Sequence, residues 1–181
     1  LQSEPAEEYH AHAKQNQSSH QLINFMKCPH LYYSKYLGLI PNEQTDAMLI
    51  GSAAHARILE GREVYENEFA TGGPINPSTG KLFGRNTKAF EEWLKEQGKP
   101  FLSASKTKLV ENLACGVAHH DDAVDLILYG RAEGVVRTDY CGIPCQIRID
   151  WTHPHRGLVD LKTCKNLDKF VWDARDYRYF N

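Results

Sequence analysis

The sequence predicts an α/β domain in which a short mixed sheet, built around an antiparallel meander, is flanked by N-terminal helices. Two observations carry that prediction. Up to about residue 128, apolar residues recur at helical spacing between capping residues and glycine stops. After Gly130 the texture changes to apolar–polar alternation broken by tight turns, the mark of half-buried strands. With 181 residues, 41% of them hydrophobic, the chain suffices for one sizeable core and is short for two, so one domain is expected.

The first 17 residues are polar and lack a clear apolar period, and read as an N-terminal arm or irregular lead-in. Ser18 and Ser19 then stand where a helix N-cap belongs, ahead of Leu22, Ile23, Phe25 and Met26. Pro29 interrupts or restarts that helix, and Leu31, Tyr32, Tyr33, Tyr36 and Leu37 continue a helical spacing toward Gly38. Thr45 or Asp46 caps an alanine-rich helix running from Ala47 to Leu59 and closed by Gly61. Residues 70–85 are a Gly/Pro/Ser/Thr loop, long for a compact domain. Helices follow over 86–97, 103–118 and 121–128. Strands are expected over 131–140 and 144–151, joined by a turn at Cys141-Gly142-Ile143, and over 157–163 after the turn that holds His153 and His155. A last helix begins near Asp168.

Charge excludes some partners and leaves others open. The net charge of −2 gives the whole chain no basic footprint, so any nucleic-acid contact must be local. Residues 81–108 do carry seven Lys or Arg against three Glu. Lys81, Arg85, Lys88, Lys106 and Lys108, and later Lys165, Lys169, Arg175 and Arg178, are candidates for phosphate contacts or are solvated helix faces. No signal-peptide pattern and no 18-residue apolar run is present, so a cytoplasmic protein with no membrane partner is expected. Five cysteines, an odd number, suit free thiols better than a disulfide framework.

The residues with chemistry lie in the meander. In a strand, residues two apart share a face, so Asp160 and Lys162 project together and Arg148 and Asp150 do the same on the strand before. If the strands pair, two carboxylates and a lysine converge, which suits hydrolysis of a phosphodiester with a hard cation held by oxygen ligands. An edge strand with a solvated polar face would give the same pattern. Glu133, on the first strand of the meander, either faces that site or is solvated. His55, mid-helix among Gly51, Ser52, Ala53 and Ala54, points inward as a core histidine or as a ligand. Arg148 is the residue to single out for a DNA phosphate, with an ion pair to Asp150 or Asp160 as the alternative. Cys141, Cys145, His153 and His155 have zinc-ligand chemistry but fall in turns at opposite ends of one strand, too far apart for one ion. In His119-His120-Asp121-Asp122 the Asp pair is expected to cap the following helix.

Taken in order, Gly51-x-x-x-His55, Glu133, Asp150 and Asp160-Leu161-Lys162 resemble the PD-(D/E)xK nuclease superfamily, in its RecB-like and RecE-like branch. Cys28-Pro29-His30-Leu31-Tyr32-Tyr33, Lys81-Leu82-Phe83-Gly84-Arg85 and Gly157-Leu158-Val159-Asp160-Leu161-Lys162-Thr163 look most like phage-type exodeoxyribonuclease VIII, over most of residues 18–181. The resemblance implies a restriction-endonuclease-like core. It implies that His55, Asp150, Asp160 and the backbone carbonyl of Leu161 bind Mg²⁺ or Mn²⁺, that Lys162 is catalytic, and that Glu133 is an additional acidic residue. It also implies a metal-dependent exonuclease on the ends of double-stranded DNA, with a ring-like homo-oligomer and a single-strand annealing protein as expected partners. A RecB-like or CRISPR-adaptation-type nuclease on single-strand ends, and a non-catalytic nucleic-acid-binding module of the same fold, are the alternatives. The family's Gln-x-x-x-Tyr helix is expected after the Asp-x-Lys strand, and the chain stops at Tyr179-Phe180-Asn181, so the nuclease domain at 18–181 is expected to lack its C-terminal end. Iron–sulfur members use a cysteine near the place of Cys28 and three late ones. With only Cys164 late, no such cluster is expected from these residues.

Overall fold

The computed structural model describes residues 2–41 and 44–176; the expected C-terminal end, with Arg178, lies outside the described residues. The main sheet has four strands, β1 (Gln2–Ser3), β4 (Arg131–Tyr140), β5 (Ile143–His153) and β6 (Gly157–Val159), every neighbouring pair antiparallel. Among the described residues the strands pair in parallel only in a separate two-strand ribbon of β2 (Ala70–Thr71) and β3 (Phe101–Leu102), with one further parallel bridge between Gln17 and Cys145. This ribbon punctuates the segment that sequence leaves as loop. Two-residue strands carry no alternation to read.

The N-terminal residues, irregular by sequence, instead form β1, α1 (Ala6–Ala11) and a short 3₁₀ turn at His12–Lys14. Their anchors are polar. Glu4 forms a two-point ion pair with Arg137 of β4, and the buried Gln146 of β5 donates from Nε2 to the Tyr9 carbonyl at 3.3 Å. Gln17 and residues of β5 exchange backbone bonds of 2.8 and 2.9 Å. A hydrophobicity pattern cannot register such a dock.

Ser18 then starts α2 (Ser19–Lys27) with a capping box. Its Oγ accepts from the Gln21 amide at 3.4 Å and its own amide donates to Gln21 Oε1 at 2.7 Å. Pro29 ends that helix and opens α3 (Pro29–Tyr36) at its first turn, where the missing N–H costs nothing. Thr45 caps α4 (Asp46–His55) through the Met48 amide. The helix expected to reach Leu59 is α-helical only to His55. Residues Ala56–Glu60 form a π turn, and Gly61, at φ 99°, closes it before α5 (Arg62–Glu68). A π turn inside a helix leaves the apolar composition unchanged, so periodicity does not see it.

Ala53 and Ala56 are fully or almost fully buried, and with Tyr65, Phe69, Leu102 and Val110 they form the core where α4, α5 and α7 (Ala104–Ala118) meet. Small side chains on α4 let it ride close to the chain after β6: a Cβ on Gly51 would lie 3.5 Å from Thr163 Oγ1. The helices α6 (Lys88–Gln97), α8 (Asp121–Leu128) and α9 (Leu167–Asp176) start within two residues of their expected positions. One cap differs. His120, not the Asp pair, caps α8, its Nδ1 accepting from the Ala123 amide at 3.4 Å, while Asp121 and Asp122 occupy the first turn.

β6 is shorter than expected, ending at Val159 rather than 163. The reason is local competition. The Leu161 amide donates to Asp150 Oδ2 at 2.8 Å, and the Leu161 carbonyl accepts from His55 Nε2 at 2.6 Å. The backbone groups that would have continued the ladder are bonded to side chains instead.

Candidate active site

That diversion of the Leu161 peptide creates the site. His55 sits at the last α-helical position before the π turn, which sets its imidazole against the segment after β6. A carbonyl can only accept, so His55 Nε2 is the donor in its bond to Leu161. His55 Nε2 also lies 3.6 Å from Asp150 Oδ2, with both side chains largely buried. His55 Nε2 therefore lies 2.6 Å from the Leu161 oxygen and 3.6 Å from the Asp150 oxygen. Donors adjacent in an octahedral shell of bonds near 2.1 Å are about 3.0 Å apart, so both spacings suit a hard divalent cation, which His55 would ligate through Nε2 in the tautomer protonated at Nδ1, giving up its bond to Leu161.

Asp160 and Lys162 do meet, Lys162 Nζ lying 2.5 Å from Asp160 Oδ1, but as an exposed pair beyond the strand end. Asp160 turns toward Lys162. Among the described residues no three His, Cys, Asp or Glu side chains gather closely enough to hold a metal ion. The ready donors are thus His55, Asp150 and the Leu161 carbonyl, with the Asp160 carboxylate one residue away along the chain.

The register carries Ala132 opposite Trp151 and Gly134 opposite Ile149, so Glu133 stands across from Asp150. Its φ of 55° puts a non-glycine residue in the left-handed region, a strain that tends to occur where function demands it. Arg148, which the sequence offers to a phosphate or to Asp150 or Asp160, is in ion-pair contact with Glu133. Diagonal neighbours on one sheet face meet in this way.

Burial dominates the electrostatics. It raises Asp150 above its ordinary value, opposed by His55 and by the Leu161 amide and helped by the charge of Asp160. It pushes Glu133 up to about 7, with Glu60, Asp150 and Glu68 adding to the rise and Arg148 opposing it. Glu60 is raised too, by burial and then by Glu68, while Arg148 and His55 pull it down. Desolvated carboxylates facing like charge mark functional clefts, because an incoming cation relieves the repulsion.

Glu60 and Glu68 were not legible as site residues. In an α-helix Glu60, five residues after His55, falls on another face; the i→i+5 bonding of the π turn swings it into the field of His55. The Leu-Glu-Gly sequence before α5 was the sole available signal. Lys81, Arg85 and Lys165 are exposed and no hydrogen bond or ion pair among the described residues joins them to the site. Arg85 lies 5.5 Å from the centre of the Phe101 ring, while Lys88 and Lys106 pair with Glu92 and Asp46. His153, of the rejected zinc quartet, closes its own turn, Nδ1 accepting from the His155 and Arg156 amides.

Comparison with known proteins agrees with this architecture. A family model described as a PDDEXK-like domain of unknown function (DUF3799) matches residues 18–181. No curated protein matches the chain. A crystal structure from Eubacterium rectale, described as that of a putative exonuclease, superposes with a TM-score of 0.56 at 14% identity, over 99% of this chain and 66% of the other. That likeness is one of fold. The chain spans just under two thirds of that protein's length. Helices, a small sheet and these comparisons together make the fold restriction-endonuclease-like. No helix among the described residues is long and apolar enough to cross a membrane.

Proposed function

The chain belongs to the PDDEXK-like family, and from that premise we propose that it is a divalent-metal-dependent deoxyribonuclease that hydrolyses phosphodiester bonds at the ends of linear double-stranded DNA. The observation that carries this is that His55 Nε2 meets both the Leu161 carbonyl and Asp150 Oδ2 beside the Asp160–Lys162 pair. The choice of DNA ends rests on the residue-level resemblance to the RecE-like exonucleases.

His55, Asp150 and the Leu161 carbonyl would hold Mg²⁺ or Mn²⁺, with Asp160 completing the protein's share on leaving Lys162. Such an ion acidifies a coordinated water and offsets phosphate charge. The chain's own groups do the rest. Asp150 fixes the Leu161 peptide so that its carbonyl faces His55. Lys162, paired with Asp160 until the ion is bound, keeps its ammonium beside the site, where its N–H groups orient a water or stabilise charge developing on the phosphate. Arg148 keeps a guanidinium on the same sheet face as Asp150, within reach of the scissile strand.

The test is incubation of linear duplex, single-stranded and covalently closed circular DNA with the protein and Mg²⁺, beside an Asp150→Asn variant. Loss of linear duplex alone, abolished in the variant, supports the proposal. Preferential loss of single strands favours the RecB-like alternative. Binding of DNA without hydrolysis favours a non-catalytic module.

A further inference from the structure

Beside the metal-ligand candidates, between α5, the start of β4 and the N-terminal arm, lies a cavity of about 540 Å³. Cavities of roughly 300–1,000 Å³ are the size range of small-molecule sites. Glu60, Glu68, Glu133, Arg148 and Trp151 supply its polar wall, and Leu59, Val64 and Pro5 an apolar one. One donor there lacks a partner. Trp151 is 9% exposed, yet its indole Nε1 makes no hydrogen bond, while Arg148 Nε is held in its ion pair with Glu133. A buried donor without a partner calls for a ligand acceptor. The wall is also shaped around the indole: a Cβ on Gly130, itself part of the lining, would lie 2.6 Å from Trp151 Nε1 and 2.2 Å from the Thr152 carbonyl. Only glycine fits against the indole there.

The mixture of groups narrows the ligand. Four glutamates line the cavity, and with Glu4 already paired to Arg137 three carboxyls remain to disfavour a phosphate, while the guanidiniums of Arg131 and Arg148 and an indole N–H disfavour a bare cation. A neutral, flat molecule with donors and acceptors along its edge and apolar faces satisfies both walls. A nucleobase has that chemistry, with exocyclic amines for carboxylates and ring nitrogens or carbonyls for N–H donors. Burial pushes Glu133 up to about 7, so near neutral pH its carboxyl exchanges a proton and can donate as well as accept.

We propose that this cavity is a base subsite, taking the nucleobase of a nucleotide at the end of the strand whose backbone lies over Asp150 and His55. The inference rests on the nuclease reading for where the strand runs, and on the cavity's own chemistry for what enters it. Trp151 and Arg148 donate to the base edge and Glu60 and Glu68 accept from it.

The experiment has two arms. In the first, metal-free full-length protein is titrated with deoxyadenosine, deoxycytidine or inorganic phosphate. The nucleosides bind and phosphate alone does not; Trp151→Phe, which keeps the ring and removes the N–H, weakens binding about tenfold; Val64→Phe, which fills the apolar wall, abolishes it. Circular dichroism of both variants confirms that they fold. In the second arm, duplex ending in an abasic nucleotide is hydrolysed at least about tenfold more slowly than intact duplex, and Val64→Phe erases that ratio. Nucleoside binding by a protein that cuts no DNA supports the subsite and overturns the nuclease reading. DNA hydrolysis with no nucleoside binding, or with the abasic end cut as fast as the intact one, overturns the subsite.

Discussion

His55 donates to the carbonyl of Leu161 across 106 positions of sequence, at 2.6 Å, and so ties the end of α4 to the peptide between Asp160 and Lys162. His55→Ala removes the tie and a candidate ligand together. The expected outcome is a fall of about 10²-fold or more in hydrolysis, with about 1 kcal/mol lost in denaturant unfolding. A variant that unfolds at the wild-type midpoint and retains full activity would separate His55 from the site.

Asp160 and Lys162 give the opposite signature. Both side chains are well exposed, at 64% and 46%, and exposed ion pairs contribute little. Lys162→Ala should therefore shift stability by less than about 1 kcal/mol while lowering the rate by about 10²–10³-fold. Steady-state kinetics beside thermal unfolding checks this, and equal small effects on both would assign the pair to the surface alone.

Glu133 sets a pH dependence whose sign follows from its environment. Its carboxyl titrates near 7 in the fold against 4.5 when unperturbed, so between those values the folded state holds a proton that the unfolded chain has released. Stability at this residue is greatest below pH 4.5 and declines as pH rises toward 7. Glu133→Gln should match the wild type at low pH and gain on it through that window, by an amount on the order of 2–3 kcal/mol without metal. Urea unfolding at pH 4.5 and pH 7.5 measures the difference. A constant offset between the two proteins would contradict the burial argument.

Much of the fold was legible, because caps and periodicity are local. The Ser18–Gln21 box, Pro29, Thr45 and the hairpin at Cys141-Gly142 are each written within a few residues of where they act. Strand parity also paired Arg148 with Asp150 and suggested the company of Glu133. What escaped was non-local. The early end of β6 depends on Asp150 and His55 competing for the Leu161 peptide. The docking of residues 2–17 depends on Glu4 and Tyr9 finding Arg137 and Gln146. The π turn that aims Glu60 depends on packing around Ala56 and Leu59, which no apolar count reveals.

Metal binding should register in stability as well as in rate. Mg²⁺ or Mn²⁺ that binds only the folded chain raises stability by about 2.7 kcal/mol at a hundred times its Kd. The thermal midpoint should rise with added ion in the wild type and stay fixed in Asp150→Asn. An equal rise in both would move the ion elsewhere.

The most direct test of the central claim is nucleotide release from linear duplex DNA by wild-type protein and Asp150→Asn, with Mg²⁺ and with a chelator. Release that requires both Mg²⁺ and Asp150, with circular duplex left intact, is the predicted result. Release that survives chelation or the loss of Asp150, or none from a folded full-length protein, would contradict it.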